Sequence, residues 1–315
     1  MKLGFLYAGQ GAQYVGMGKE FYESDEAFHK LYDSLSVGFD VKEISFNGPA
    51  EVLNETQYTQ PCMVAFQVGV TELLKDKGIV PSISAGLSLG EYSALFSAGV
   101  FEANQVISLV RFRGDVMQQA AAGRECKMIA VLGLSADKVK AGCKQVKDEF
   151  AGKEFSIAEP ANFNCPGQIT VSGDAVAVDR AAEVMKELGA KRCLPVKVSG
   201  PFHTSLMKPA GDALRDRFKK ENFGELQVPV VFNCLGREKN PDDKVQELLE
   251  KQVQSSVYFE DSLCAIKKSG VDALIEIGPG NTLSKFAQKT VPDLPCFNIQ
   301  KPEDIESLQA GLLNL

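Results

Sequence analysis

The stretch Ala85-Gly86-Leu87-Ser88-Leu89-Gly90-Glu91-Tyr92-Ser93-Ala94-Leu95 decides how the chain is read, because Gly86 to Gly90 spell G-x-S-x-G. Residues 81–86 are few, small and apolar, which reads as a strand, and residues 89–98 read as a helix closed by Gly99. Ser88 therefore falls at a strand-to-helix turn. In a nucleophile elbow such a turn strains the serine backbone, flanking glycines let strand and helix approach, and the positive helix end favours an oxyanion. The alternative is a serine that caps the helix.

The pattern of elements extends outward from this turn. Residues 3–8 form an apolar run stopped by glycine, a buried strand, and helical patterns cover 17–23, 60–77 and 104–122. In the last of these Val106, Leu109, Val110, Val116 and Met117 form one stripe. Beyond Gly123 the rhythm becomes strand 127–134, helix 137–150, strands 155–162 and 168–173, helix 176–188 and strand 192–198. This β-α-β-β-α-β order predicts a ferredoxin-like small subdomain over 124–195. Helices over 207–220, 244–253, 259–269 and 283–290 then alternate with strands over 228–233 and 271–277. The expected fold is α/β: an α/β-hydrolase-like large subdomain with a mainly parallel sheet, made of 1–123 and 196–315, carrying the small one as an insert.

Composition narrows the function classes. The 315 residues are 44% hydrophobic and carry a net charge of −7, which argues against a nucleic-acid or anionic-membrane surface. Eight cysteines without a C-x-x-C pair, beside only two histidines, suit scattered reduced thiols better than a zinc site or a disulfide framework. The run 3–8 is too short for a signal-peptide core, and no stretch approaches the roughly 18 apolar residues of a membrane span. A cytoplasmic protein is expected.

A serine nucleophile needs a base, usually histidine. His29 lies in a charged helical stretch, Asp25-Glu26-Ala27-Phe28-His29-Lys30, whereas His203 lies in the loop Ser199-Gly200-Pro201-Phe202-His203-Thr204 between a strand and a helix. His203 is the candidate base, against the plainer reading of a histidine satisfied by backbone groups. Arg113 continues the apolar stripe of helix 104–122, while Arg111 points off it. A guanidinium facing inward needs an anionic partner, either a protein carboxylate in a buried ion pair or a substrate carboxylate gripped by its fork. The loop Gly9-Gln10-Gly11-Ala12-Gln13 fails as a dinucleotide motif, since Tyr14 stands where the third glycine belongs. It fails as a P-loop because Met17 stands where lysine belongs. It can still offer backbone N–H groups beside Ser88.

Taken together these residues resemble the malonyl-CoA:acyl carrier protein transacylases and the related acyltransferase domains of polyketide synthases. The motifs occur in family order: Gly9 to Gln13, Gly86 to Tyr92, Arg113-Gly114, Asn162-Phe163-Asn164 with Pro166-Gly167-Gln168, Gly200-Pro201-Phe202-His203, and Gly278-Pro279-Gly280. The resemblance implies that Ser88 attacks the malonyl-CoA thioester with His203 as base, and that a backbone carbonyl, not a carboxylate, orients the histidine. The segment Leu249-Glu250-Lys251-Gln252 points to Gln252 for that carbonyl. Because the proline common in the following segment is missing, Gln254 stays a rival. By the same resemblance Gln10 and Leu89 supply the oxyanion-hole N–H groups, Arg113 holds the malonyl carboxylate, Asn162 lines the pocket, and Phe202 disfavours branched acyl units. Leu87 departs from the family, where histidine usually precedes the nucleophile.

The implied partners are malonyl-CoA and a phosphopantetheinylated acyl carrier protein, with no cofactor, no nucleic acid, no membrane and a monomeric state, in the service of fatty acid synthesis. A serine thioesterase or a trans-acting polyketide acyltransferase is the alternative, and a binding module without chemistry a third. An acidic carrier needs a local basic surface, for which Lys191-Arg192 and Arg124 with Lys127 are candidates.

Overall fold

The computed structural model describes residues 1–197 and 200–315, and its chain folds into two sheets. In the larger sheet the strands β1 (Leu3–Tyr7) and β2 (Ile83–Gly86) lie at the centre. The smaller sheet takes β3 (Cys126–Leu132), β4 (Ala158–Cys165), β5 (Gln168–Asp174) and β6 (Arg192–Pro195). The chain then returns to the larger sheet with β7 (Val230–Phe232) and β8 (Arg237–Glu238). A two-residue β9 (Val257–Tyr258) follows, and β10 (Ala273–Ile277) and β11 (Cys296–Ile299) close the chain's strand inventory among the described residues.

The larger sheet runs β11-β10-β1-β2-β7-β8 and is parallel except for the β7–β8 pair. All five residues of β1 are buried, as a strand covered on both faces requires. The register pairs Tyr7 with both Gly86 and Ile277, so the loops after β1, β2 and β10 open at one carboxyl edge. Ligands of open α/β sheets bind at that edge.

The smaller sheet runs β6-β3-β5-β4-β9, antiparallel in its first four strands, with the helices Ala136–Glu149 and Ala175–Glu187 on one face. This is the strand order of a ferredoxin-like unit, and it has its own core around Val131, Val171, Val178 and Val184. The β-α-β-β-α-β run spans Cys126 to Pro195. Its edge is extended by β9, which leaves the large subdomain to pair parallel with Asn162 and Phe163 of β4. The expected strand 192–198 ends at Pro195, and its final residue lies outside the described residues.

Three stretches of the chain differ from the sequence-based expectation. The long helix is Thr56–Asp76, not 60–77, so Pro61 sits inside it and not at its first turn. Proline removes the N–H that would bond the Gln57 carbonyl, and Arg111 Nη1 donates to that oxygen instead, at 3.1 Å. The expected strand 155–162 is shifted to Ala158–Cys165, because Phe155 has φ 58° and lies under the Arg124 guanidinium, 5.2 Å from it. The chain beyond 290 is structured too, as β11 and the helix Pro302–Leu312. No described helix is long and apolar enough to cross a membrane.

Candidate active site

The G-x-S-x-G turn is dictated by close approach. A Cβ on Gly86 would sit 1.9 Å from the Gly90 carbonyl carbon, and one on Gly90 would sit 2.1 Å from the Tyr7 carbonyl oxygen. Only glycine lets β2, the helix Gly90–Ser97 and the end of β1 meet so closely. Between them Ser88 is forced to φ 52°, and His203 sits at φ 61°. Left-handed backbone at a non-glycine residue costs on the order of 1–3 kcal/mol and concentrates at functional sites.

Ser88 Oγ lies 2.6 Å from His203 Nε2, and His203 Nδ1 lies 2.9 Å from the Gln252 carbonyl oxygen. With Nδ1–H donating to that carbonyl, Nε2 is the free lone pair that faces the serine. Among the described residues no hydrogen bond joins His203 to Gln254, whose side-chain Nε2 donates to the Glu250 carbonyl at 3.3 Å. His29, by contrast, is a surface residue stacked on Tyr22 and 3.0 Å from Asp33. Burial, and then the nearby Arg113 charge, push His203 down to about 4, so the imidazole is neutral near pH 7.

Arg113 enters from the helix Ala103–Ala121, whose Gly114 backs against Thr56 and Gln57 of the neighbouring helix. Its guanidinium is buried, and among the described residues it has no ion-pair partner. Nη1 donates to Gln60 Oε1 at 2.9 Å, and Nη2 donates to Gln252 Oε1 at 3.1 Å and to Ser88 Oγ at 3.2 Å. The Tyr92 ring lies 5.3 Å beneath it, and Nε has no partner among the described residues. Every direct acceptor is neutral. Glu91 is nearby, but burial pushes its carboxyl up to about 8, which favours the uncharged acid at neutral pH. No carboxylate oxygen bonds the guanidinium, whose charge is aimed at Ser88. A buried cation without a counter-ion calls for an anionic ligand.

These groups open into a cavity of about 150 Å³ whose lining includes Gln10, Ser88, Arg113, Asn162, Phe202 and His203. Asn162 comes from β4, so the cavity lies between the two subdomains. Leu87 also lines it, and the Leu87 carbonyl would be 2.7 Å from a Cβ on Gly9. Among the described residues the backbone N–H groups of Gln10 and Leu89 have no hydrogen-bond partner, as donors awaiting an oxyanion should. The Gln10 side chain is held by Thr56 Oγ1 at 3.1 Å.

Sequence reasoning passed over Glu91, Asn233 and Gln60, all fully buried polar side chains around this centre. A glutamate one residue after the second glycine of the motif, followed by Tyr92-Ser93-Ala94-Leu95-Phe96, was the available signal for Glu91. Asn233, at the end of an apolar strand, and Gln60, within the long helix, offered none.

A strained serine on an elbow, a neutral histidine beside it and two free amide donors make up the machinery of enzymes that carry acyl groups on serine. The chain belongs to the acyl transferase domain family, whose sequence profile matches residues 4–308. It is 40% identical over 307 residues to the malonyl CoA-acyl carrier protein transacylase of Bacillus subtilis (strain 168), covering 97% of this chain and 95% of that one. The crystal structure of malonyl CoA-acyl carrier protein transacylase from Clostridium perfringens superposes with a TM-score of 0.94 at 38% identity, covering 100% of this chain and 98% of that one. A malonyl-transacylase solved in complex with its type II PKS acyl-carrier protein superposes at 0.92 with 34% identity, covering 98% of each chain.

Proposed function

We propose that this protein is a malonyltransferase that moves malonyl from malonyl-CoA to Ser88 and then to the phosphopantetheine thiol of an acyl carrier protein, supplying extension units for fatty acid synthesis. The observation that carries this reading is Arg113, a buried guanidinium with no protein carboxylate against it and its Nη2 3.2 Å from Ser88 Oγ. A short acyl group ending in a carboxylate neutralises it. A neutral acyl chain would leave it unpaired, which disfavours the thioesterase alternative.

In the first half-reaction His203 Nε2 takes the Ser88 proton as Oγ bonds to the thioester carbon. The developing oxyanion is held by the N–H groups of Gln10 and Leu89. The C–S bond then breaks, and the histidine returns the proton to the CoA sulfur. The second half-reaction repeats these steps with the carrier thiol as nucleophile and Ser88 as leaving group. Intact mass after brief exposure tests the scheme. A malonyl-sized increment on the enzyme, absent with acetyl-CoA and discharged by added holo-carrier protein, is the expected result. An increment lost to water and indifferent to the carrier would make the protein a hydrolase.

The histidine sets the pH response. Because its pKa lies near 4, kcat/KM for malonyl-CoA should stay level from neutral pH down to about pH 5 and fall as the pH drops through about 4. Binding the malonyl carboxylate cancels the Arg113 charge that helps depress the histidine, so the acid limb of kcat should lie above that of kcat/KM. A pH–rate profile with a kcat/KM limb at the ordinary histidine value would contradict this assignment of the base.

Carrier docking separates the two basic candidates. Arg124 is ion-paired to Asp174 and Lys127 to Asp179, both within the small subdomain. Lys191 and Arg192 are exposed and, among the described residues, have no ion pair, and Val196 a few residues on lines the cavity. Lys191→Glu should raise the apparent KM for the carrier severalfold and leave that for malonyl-CoA unchanged. Steady-state kinetics in both substrates check this, and equal effects on both would refute a docking role.

A further inference from the structure

Asn233 is fully buried directly after β7, and the pairing of Ala85 with Val231 brings it alongside the elbow. Its carboxamide spans the turn. Oδ1 accepts the Ser88 N–H at 2.6 Å, and Nδ2 donates to the Gly86 carbonyl at 2.6 Å. The amide thus does for Gly86 and Ser88 what one more residue of a paired strand would do, at the point where the chain turns away from the sheet. Asn233 is itself fixed at both backbone groups. Its N–H donates to Glu91 Oε2 at 2.5 Å, and its carbonyl accepts the Tyr258 N–H at 2.8 Å. Gln252 Nε2 donates to the Ser88 carbonyl at 2.7 Å, so both backbone groups of the strained serine are held by side chains from distant segments.

This arrangement has a chemical consequence. The Ser88 N–H is committed to Asn233 and is not available to a reacting carbonyl, whereas those of Leu89 and Gln10 are unpartnered among the described residues. Without the amide, the elbow could relax out of φ 52° and turn the Ser88 hydroxyl and the Leu89 N–H together away from the cavity. We propose that Asn233 is a positioning residue for the nucleophile: its side-chain amide, presented by a backbone that Glu91 anchors, locks the elbow and selects the Leu89 N–H as the oxyanion donor. Burial keeps Glu91 toward its neutral acid, which lets this anchor stand in the interior without adding a charge beside Arg113.

The inference rests on the reading of Ser88 as the acylated residue, and the test keeps the two apart. Wild-type enzyme is first acylated with malonyl-CoA; absence of any increment on Ser88 would overturn that reading. Asn233→Ala is then compared by rapid-quench acylation, normalised to folded protein, with malonyl-CoA affinity measured separately by calorimetry in the Ser88→Ala background. The expected result is acylation slower by about 10²-fold, the scale of a lost oxyanion donor, with affinity within threefold. Acylation within threefold of wild type per folded molecule would overturn the proposal, as would a loss explained wholly by affinity. If Asn233→Ala does not fold, amide NMR of the wild-type protein decides. The Ser88 N–H should exchange slowly and keep its shift on acylation while the Leu89 N–H moves, and the opposite pattern would overturn the proposal.

Discussion

Ser88→Ala should fold as the parent does and take up no malonyl group. The hydroxyl is the atom to which the site converges, 2.6 Å from His203 and 3.2 Å from Arg113 Nη2, whereas the Thr170 hydroxyl, which also lines the cavity, accepts from Asn164 Nδ2 at 3.2 Å. In serine enzymes loss of the nucleophile costs on the order of 10⁶ in kcat, because the remaining members of the set have nothing to activate. Carrier malonylation by Ser88→Ala should therefore fall by about that factor while binding of malonyl-CoA persists, since Arg113 and the cavity are intact. Intact mass and radiolabel transfer measure the first, calorimetry the second. Covalent malonylation of the variant at another residue would refute the assignment of the nucleophile.

Arg113→Ala should show the second largest effect, confined to the acid thioester. Removing one member of a buried, hydrogen-bonded charge pair costs about 2–5 kcal/mol, or roughly 30- to 5,000-fold in kcat/KM. With acetyl-CoA there is no carboxylate to lose, and the variant also sheds the positive charge that burdens a neutral acyl group, so the acetyl-to-malonyl ratio should rise by a similar factor. The substitution also removes the charge that depresses His203, so the acid limb of the pH profile should move upward from about 4. Arg113→Lys should not restore the ratio, because the site presents Gln60, Gln252 and Ser88 to a planar fork, and an ammonium cannot meet all three. Parallel kcat/KM measurements with the two thioesters decide the matter. An unchanged ratio would make Arg113 a structural residue.

The parts of this site that were legible in the sequence are those whose cause is local. Gly86, Ser88 and Gly90 announce an elbow because the requirement for glycine arises within two residues of the serine, and the inward lean of Arg113 follows from a helical stripe only a few turns long. Boundaries failed where a distant partner overrode the local signal. Pro61 reads as a first-turn proline until Arg111 is found on the carbonyl it leaves free. Phe155 reads as a strand residue until its turn conformation and its place under Arg124 are seen. Strand β9, two residues long, has no pattern to read, yet it is the strand that ties the large subdomain to the small sheet. The helix Pro302–Leu312 had a signal, a proline at its first position, which the pattern of strands upstream did not call upon.

The amino-acid sequence alone determined the α/β class, the ferredoxin-like insert, the elbow and the residue types able to carry an acyl group, since these depend on periodicity and on steric demands between near neighbours. Only the tertiary structure decided that Gln252, and not Gln254, faces His203 with its carbonyl, that Arg113 meets no carboxylate, that Glu91 is held toward its neutral acid, and that Asn233 braces the serine. The physical reason is that pairing and protonation depend on what surrounds a group in space. Ser88 stands 115 residues from His203 and 145 from Asn233; the parallel pairing of β2 with β7 brings Asn233 to it, and the loop by which the chain leaves the small subdomain brings His203.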